Sequence, residues 1–332
     1  MKIKFYKIAD VIDKLTRIDD RWRTDSDLGT QIEAFEKVVN FSITDNVSFQ
    51  HGVAHVGVDY RLGNEPTFGR SMVDAWSAFE HVLMHLGDKK VRWLRDIVDE
   101  DILENCVSFG SPHSNFVARL SLGYSLNSGS MQLIPEADDL PFMPKIRYGD
   151  GGYGHEVDRA GYSEGQWDLS YSDGGDIVRL IPPLGKTGQL TKDYLVLSCV
   201  PNMGSSVTRE HFRAKRDLAQ LARADLAERD TPEYRKKRDA LIRMRDRKAP
   251  LRTLIVGGLH GPGTAAAKHI FTSPERLKRL SDALRDHDVA GRPWQALYEV
   301  GNVERRTVDG VLRDVPVPES IKLARVCVLD ER

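Results

Sequence analysis

An apolar run that leads through a glycine-rich turn into a helix of small residues most constrains what this chain can fold into. Residues 252–270 read RTLIVGGLHGPGTAAAKHI. The Leu-Ile-Val run is typical of a buried strand, and the alanines after the turn favour a helix. Alternating strands and helices of this kind build α/β sheets. The segment therefore predicts an α/β fold.

A second segment, residues 107–115 (VSFGSPHSN), has the same order of features. Each segment has an apolar strand, then the spacing G-x-x-H, then small turn residues and a predicted helix. Gly110 corresponds to Gly257, and His113 corresponds to His260. An internal duplication of a strand–helix unit explains this similarity, and so does chance.

The chain divides into two regions by its patterns. Residues 1–95 carry apolar residues mostly at helical spacing and predict a mainly helical region. Residues 96–332 predict a Rossmann-like α/β domain whose strands are mostly parallel. Residues 208–248 are dense in charge, and Pro232 breaks their helical pattern, so we expect an inserted helical hairpin there.

The C-terminal region carries clearer local signals. Ser273 before Pro274 predicts an N-cap and the first position of a helix. The segments WQALYEVGNVER and IKLARVCVLD predict closing strands, which could pair antiparallel at one edge of the sheet.

The two glycine turns are the candidate ligand site. The first N–H groups of a helix lack intrahelical partners and lie at its positive end, and glycine lets an anion approach the backbone. We expect such turns to bind phosphate where strands of a doubly wound sheet end. His113 and His260 could hydrogen-bond the phosphate or act as acid and base. The expected ligand contacts are Gly110, Ser111, Asn115, Gly257, Gly258, Gly261, Gly263 and Thr264. The alternative is that these are ordinary turns with no ligand.

Composition narrows the classes of partner. The formal net charge is −1, which gives no global field for nucleic acid or a membrane. No apolar run is long enough to span a bilayer, and the N-terminus lacks a signal-peptide pattern. The three cysteines are far apart and suit a reducing cytoplasm. No metal site is predicted, and the sequence identifies no cofactor.

Three short motifs match known sites only in part. LGKTG (184–188) lacks the earlier glycine of a phosphate-binding P-loop, because position 180 is leucine. GYSEG (161–165) fits a nucleophile elbow by letters but has no preceding strand. GGLHGPG resembles the oxyanion loop of α/β-hydrolases and the GGxHGNE motif of zinc deacylases. Gly263 stands where that motif has its metal-ligating glutamate.

The charged insert allows two interpretations. Acidic residues are interleaved with its many Lys and Arg residues, which is typical of a solvated hairpin with i,i+4 ion pairs. The other interpretation is a basic surface for a partner protein, a second subunit or nucleic acid. The insert contains only Phe212 and Tyr234 as aromatic residues, which disfavours a base-stacking platform. We therefore expect a second subunit or a protein partner at residues 208–248 rather than nucleic acid.

Taken together, VSFGSPHSN, DYLVLSCVPN and LIVGGLHGPGTAAA resemble the SLOG-type Rossmann-like nucleotide-sensing modules of prokaryotic signalling and antiviral defence proteins. The resemblance covers about residues 100–272. It implies binding of a nucleotide or an NAD-derived ligand at the glycine turns, with cleavage of the ligand in some members. The chain departs from that group because neither turn carries an obvious catalytic glutamate.

The leading hypothesis is a cytoplasmic sensor or signalling module that binds a phosphorylated small molecule of the nucleotide type. One alternative is a hydrolase or glycosidase that acts on a nucleotide. Another is a structural interaction protein that has no ligand.

Overall fold

A computed structural model describes the C-terminal half of the chain almost continuously. It describes residues 169–173 and 176–328, with gaps at 224, 226–228, 248–249, 287–291 and 309. Earlier in the chain it describes short strands, residues 105–110 and the isolated positions 118 and 121.

Strands and helices alternate most clearly after residue 190. The described strands are β1 (Phe5–Lys7), β2 (Val47–His51), β3 (Thr67–Gly69), β4 (Val91–Arg92), β5 (Asn105–Phe109), β6 (Tyr124–Asn127), β7 (Ser130–Leu133), β8 (Leu169–Asp173), β9 (Asp176–Leu180), β10 (Asp193–Pro201), β11 (Arg252–Gly258), β12 (Trp294–Val300), β13 (Val303–Val308), β14 (Val311–Pro316) and β15 (Ile321–Val328). The described α-helices are α1 (Ser206–Leu221), α2 (Pro232–Asp246), α3 (Gly261–Phe271) and α4 (Pro274–Arg285).

The main sheet has seven strands in the order β15-β12-β10-β11-β5-β2-β4. Its pairings β11–β5, β5–β2 and β2–β4 are parallel, whereas β10 pairs antiparallel with both β11 and β12. The sheet is therefore mixed rather than mostly parallel. The α/β class is confirmed, and the Rossmann-like arrangement stays a prediction.

Helices α3 and α4 cover one face of the sheet. The largest core cluster includes Leu195 and Leu197 of β10, Leu254 and Val256 of β11, and Trp294 of β12. Ile270 of α3 and Leu277, Leu280 and Leu284 of α4 pack into the same cluster. The long apolar runs of β10, β11 and β12 follow from this position, because central strands covered on both faces are apolar at successive residues.

The opposite face carries a smaller apolar cluster and several buried polar side chains. Leu169 of β8 packs there with Val196 and Leu297. On the same face the Gln295 amide donates to the Ser198 hydroxyl at 2.8 Å, and both side chains are buried. A buried polar side chain without a hydrogen-bond partner would destabilise the fold, so the pairing of these two side chains allows both to be buried.

The charged insert forms the expected helical hairpin. Helix α1 has two buried residues, and α2 has none. Thr231 caps α2 by accepting from the Tyr234 amide at 3.2 Å, and Pro232 is the first residue of the helix. Pro232 therefore starts a helix rather than only breaking one, as fits its fixed φ and missing N–H.

Several C-terminal predictions are confirmed. The Ser273 hydroxyl accepts from the Arg276 amide at 3.4 Å at the start of α4, with Pro274 as the first helical residue. Strands β12 and β15 pair antiparallel, and β15 is an edge of the sheet. The residues after Gly301 form a separate hairpin, β13–β14, instead of extending β12.

Part of the N-terminal prediction lies outside the described residues. Within residues 1–95 the structure describes only strands, and Phe5–Lys7, which the pattern assigned to the helical region, pairs antiparallel with β3. The rest of the helical pattern expected in residues 1–95 lies outside the described residues, as does the segment 134–168.

Candidate functional site

One edge of the main sheet brings several strand termini together. Strands β2, β5, β11 and β12 end there and β10 begins there, as the register shows: His51 lies opposite Phe109, Leu195 opposite Gly258, and Asp193 opposite Val300. Helix α3 starts at this edge, three residues after β11 ends. We call this the α3 edge.

The strand parts of the two similar sequence segments lie side by side and end at the α3 edge. Strands β5 and β11 are parallel neighbours, and Phe109 pairs with Val256. Phe109 and Val256 are separated along the chain by the same number of residues as Gly110 and Gly257. The paired strands therefore place these two glycines at the next pair of opposite positions. The Gly110 amide donates to the Val256 carbonyl at 2.9 Å, and Gly110 has φ +109°, a conformation that favours glycine. Ser111, His113 and Asn115 lie outside the described residues.

Asp193 is the main feature of this edge that the sequence pattern did not reveal. Its side chain is fully buried, and its Oδ2 accepts from the Gly263 amide at 2.6 Å. Its Oδ1 accepts from the Tyr194 amide at 2.9 Å. A carboxylate at the third residue of a helix satisfies a free N–H and complements the positive end of the helix.

The same carboxylate positions His260. The His260 Nδ1 lies 3.4 Å from Asp193 Oδ1, and 17 % of the histidine side chain is exposed. His260 is the N-cap residue of α3, but its side chain makes no capping hydrogen bond. Because Nδ1 faces Asp193, the Nε2 atom lies on the far side of the ring and is the nitrogen left for other partners.

Two glycines and a threonine of the predicted site hold α3 against the sheet. A Cβ on Gly258 would lie 2.2 Å from the Thr264 amide nitrogen, and a Cβ on Gly263 would lie 2.3 Å from the Tyr194 carbonyl oxygen. The Thr264 hydroxyl accepts from the Gly258 amide at 2.9 Å. These contacts give Gly258, Gly263 and Thr264 structural roles.

The remaining donors at the start of α3 are few. Pro262 has no N–H, the Gly263 N–H is bound by Asp193, and the Thr264 N–H donates to the His260 carbonyl at 3.2 Å. Gly261 is the first residue of the helix and is partly exposed. Its N–H is not used by any of these bonds. At the start of α3, the polar groups that these bonds leave open are therefore the Gly261 amide and the His260 ring.

A charged pair flanks this edge beside β10. The Lys192 ammonium lies 3.1 Å from Glu299, and this carboxylate raises the pKa of Lys192. Burial, followed by the charge of Glu299, raises the pKa of the Tyr194 phenol. Tyr194 therefore stays neutral at physiological pH and does not act as a base.

The LGKTG motif has a structural explanation, whereas GYSEG lies outside the described residues. Residues 184–190 form a turn in which Leu184 bridges Leu190 and the Gly185 amide donates to Gln189 at 2.7 Å. This turn leads into β10, so it lacks the helix that a P-loop requires. Among the residues that the structure describes, no cluster of three His, Cys, Asp or Glu side chains is placed to hold a metal ion.

Comparison of the chain with protein-family models, with curated proteins and with solved structures gives no match. In the described part of the chain, no helix combines the length and apolar character that crossing a membrane requires. Interpretation of the α3 edge therefore depends on its own geometry: a buried carboxylate that holds a partly exposed histidine where several strands end.

Proposed function

We propose that the α3 edge binds a phosphorylated small molecule of the nucleotide or NAD-derived type, and that the chain acts as a sensor for it. The observation that carries the proposal is the Asp193–His260 pair beside the start of α3. Ligands of open α/β sheets bind where strand ends and helix starts meet, and this edge has both.

The hydrogen bonds of Asp193 refine which residues contact the ligand. An anion cannot use the Gly263 amide without displacing the buried carboxylate. We therefore expect phosphate to contact the Gly261 amide and the His260 ring, with Gly110 on the adjacent strand allowing close approach. The expected role of Gly258, Gly263 and Thr264 is to hold the start of α3 close to the sheet, which fixes the position of the Gly261 amide and the His260 ring.

The same pair favours a second candidate function, hydrolysis of the bound nucleotide. A histidine whose Nδ1 faces a carboxylate is oriented for general-base chemistry through Nε2. In that reaction Nε2 takes a proton from water while the water oxygen attacks a phosphorus of the nucleotide. The bond from that phosphorus to the leaving oxygen breaks, and the leaving oxygen takes the proton back from the imidazolium. Product analysis separates this function from binding alone.

The test is a thermal-shift and calorimetric screen with ATP, cyclic nucleotides, NAD and ADP-ribose. A ligand at 100 times its Kd stabilises the folded state by about 2.7 kcal/mol, which is measurable as a higher Tm. We expect His260→Asn to lose at least tenfold in affinity, because asparagine retains a donor toward Asp193 but lacks Nε2.

His269→Asn is the matched control, since His269 lies near the other end of the same helix. We expect it to bind as the wild type does. If no compound binds, or if both variants bind equally, the α3 edge is not the site. Intact ligand after prolonged incubation would exclude hydrolysis of that ligand and leave binding.

A further inference from the structure

We infer that the outward face of helix α2 is a binding surface for the phosphate backbone of duplex nucleic acid. The face is defined by Lys236, Arg243 and the C-cap residue Arg247, which are all exposed. The exposed Lys237 lies beside it. This inference is independent of the α3 edge.

The position of these cations follows from the helical period. Tyr234, Leu241 and Arg245 are the less exposed side of α2, and the Arg245 carbonyl contacts His211 Nδ1 of α1 at 2.9 Å. Lys236, Arg243 and Arg247 fall on the opposite side at 100° per residue. They span about 16 Å along the helix axis at a rise of 1.5 Å per residue.

Ion pairing leaves this face positively charged. Arg238 pairs with Asp239 at 3.0 Å, and Arg245 pairs with Asp246 at 2.7 Å, so both acidic residues are neutralised by cations from the side of the helix that faces α1. Within the described residues, the three cations of the outward face and the neighbouring Lys237 form no ion pair, and Glu233 is the exposed acidic residue on the same side of the helix. Charges that are solvated rather than paired are available to an external anion.

Helix α1 adds charge of the same sign. Arg209, Arg213 and Arg216 are exposed and recur at a spacing of four and three residues, so they share one side of α1. Together α1 and α2 contain ten Lys and Arg residues and five Asp and Glu residues, whereas the whole chain has a formal net charge of −1. The positive charge is thus concentrated in the hairpin.

The composition of the face favours nucleic acid over a protein partner. Stable protein interfaces have an apolar core, but the outward face of α2 offers only Ala240 and Met244, of which Met244 is 46 % exposed. Nucleic acid gains sequence-independent affinity from charge alone through release of counterions. The hairpin's two aromatic residues, Phe212 and Tyr234, are not exposed, so we expect backbone contacts to a duplex rather than stacking on single strands.

The test is fluorescence anisotropy of the full chain with a mixed-sequence 20-base-pair DNA duplex and an RNA duplex of the same length. The titrations use about 50 to 200 mM salt, since each phosphate contact contributes about −0.9 to the slope of log K against log salt. We expect a slope of about −3 or steeper. The triple variant Lys236→Glu, Arg243→Glu, Arg247→Glu should lose at least tenfold in affinity.

The matched control reverses three exposed cations of α4: Lys278→Glu, Arg279→Glu, Arg285→Glu. It has the same change in net charge, and we expect it to bind within about threefold of the wild type. Circular dichroism verifies that both variants are folded. Absence of duplex binding at 50 mM salt, or an equal loss in both variants, would overturn the inference. Binding to one duplex type only would identify DNA or RNA as the partner.

Discussion

Helix α3 has eight buried residues, whereas helix α2 has none although it is four residues longer. Helix α3 is built from small residues that lie directly on β10 and β11. Helix α2 is built from charged residues, starts with an N-cap and contacts α1. The two helices thus owe their stability to different sources, one to tertiary packing and the other to local interactions.

This difference separates the two proposed surfaces. The start of α3 is part of the core, so its histidine is held in a fixed position, as a small-ligand site requires. The outward face of α2 supports no part of the core, so its sequence is free to serve a charged partner. Changes near the start of α3 should therefore affect global stability, and changes in α2 should affect local order or binding.

The largest effect is expected for Gly263→Ala. The added Cβ would lie 2.3 Å from the Tyr194 carbonyl oxygen and 2.8 Å from Asp193 Oδ2, so α3 must move away from β10. We expect a loss of about 3 kcal/mol or more in the free energy of unfolding, at the upper end of overpacking effects. Urea denaturation measures it.

Gly301→Ala is the control for that substitution. Its Cβ would lie 3.3 Å from the Ser320 carbonyl oxygen, which needs only a small adjustment. We expect a loss below about 1 kcal/mol. Equal losses at the two glycines would show that close approach of α3 to β10 is not what requires glycine at position 263.

The second prediction concerns pH and the core beneath α3 and α4. Burial raises the pKa of the Cys199 thiol to about 11. A raised folded-state pKa gives stability that is complete below the unfolded-state pKa of about 8.5 and is lost as pH rises toward 11. We expect the wild type to lose about 2 to 3 kcal/mol more than Cys199→Ala between pH 8 and pH 11, by urea denaturation. Parallel loss in both proteins would contradict this.

Much of the fold after residue 190 could be predicted from local signals. The apolar runs of β10, β11 and β12, and the Ser-Pro start of α4, are short-range patterns with one clear interpretation each. The direction of β10 could not be predicted, because an apolar run is the same in a parallel and an antiparallel strand. The α1–α2 hairpin returns the chain to the end of the sheet where β10 finished, so β11 runs antiparallel to it.

The candidate site was predictable in position but not in composition. The glycine turn and His260 follow from the strand–turn–helix pattern, and the register shows that strands β5 and β11 end at the same edge. Asp193 could not be identified, because its partner Gly263 lies 70 residues later and nothing next to an isolated aspartate indicates that contact. Whether the two turns arose by duplication stays a hypothesis.

The third prediction is a smaller effect at the start of α3. Thr264→Val retains the shape of the side chain but leaves the Gly258 amide, a buried donor, without its 2.9 Å acceptor. We expect a loss of about 1 to 2 kcal/mol in unfolding free energy. Thr272→Val, at the C-cap of the same helix, is the control, since its hydroxyl donates to the Lys268 carbonyl in an exposed hydrogen bond. A control loss as large as that of Thr264→Val would count against a buried-donor effect.

The smallest effect is expected from removing the helix caps. Helices α2 and α4 start alike, with Thr231-Pro-Glu and Ser273-Pro-Glu, and in each the hydroxyl accepts from the amide three residues later. Replacing either cap by alanine costs about 1 kcal/mol of helix stability. Helix α4 packs into the core, whereas α2 has no buried residue. We therefore expect loss of the α4 cap to lower the global free energy of unfolding, and loss of the α2 cap to change only local opening.

We expect Ser273→Ala to lower the global unfolding free energy, and Thr231→Ala to leave it nearly unchanged while α2 amides exchange several times faster with solvent. Hydrogen exchange with mass spectrometry, beside urea denaturation, measures both quantities. Helix α2 can unfold locally because its unfolding exposes little buried apolar surface. Unfolding of α4 would expose the core residues Leu277, Leu280 and Leu284. If Thr231→Ala lowered global stability as much as Ser273→Ala, α2 would be a cooperative part of the core, and its outward face would not be free of structural constraint.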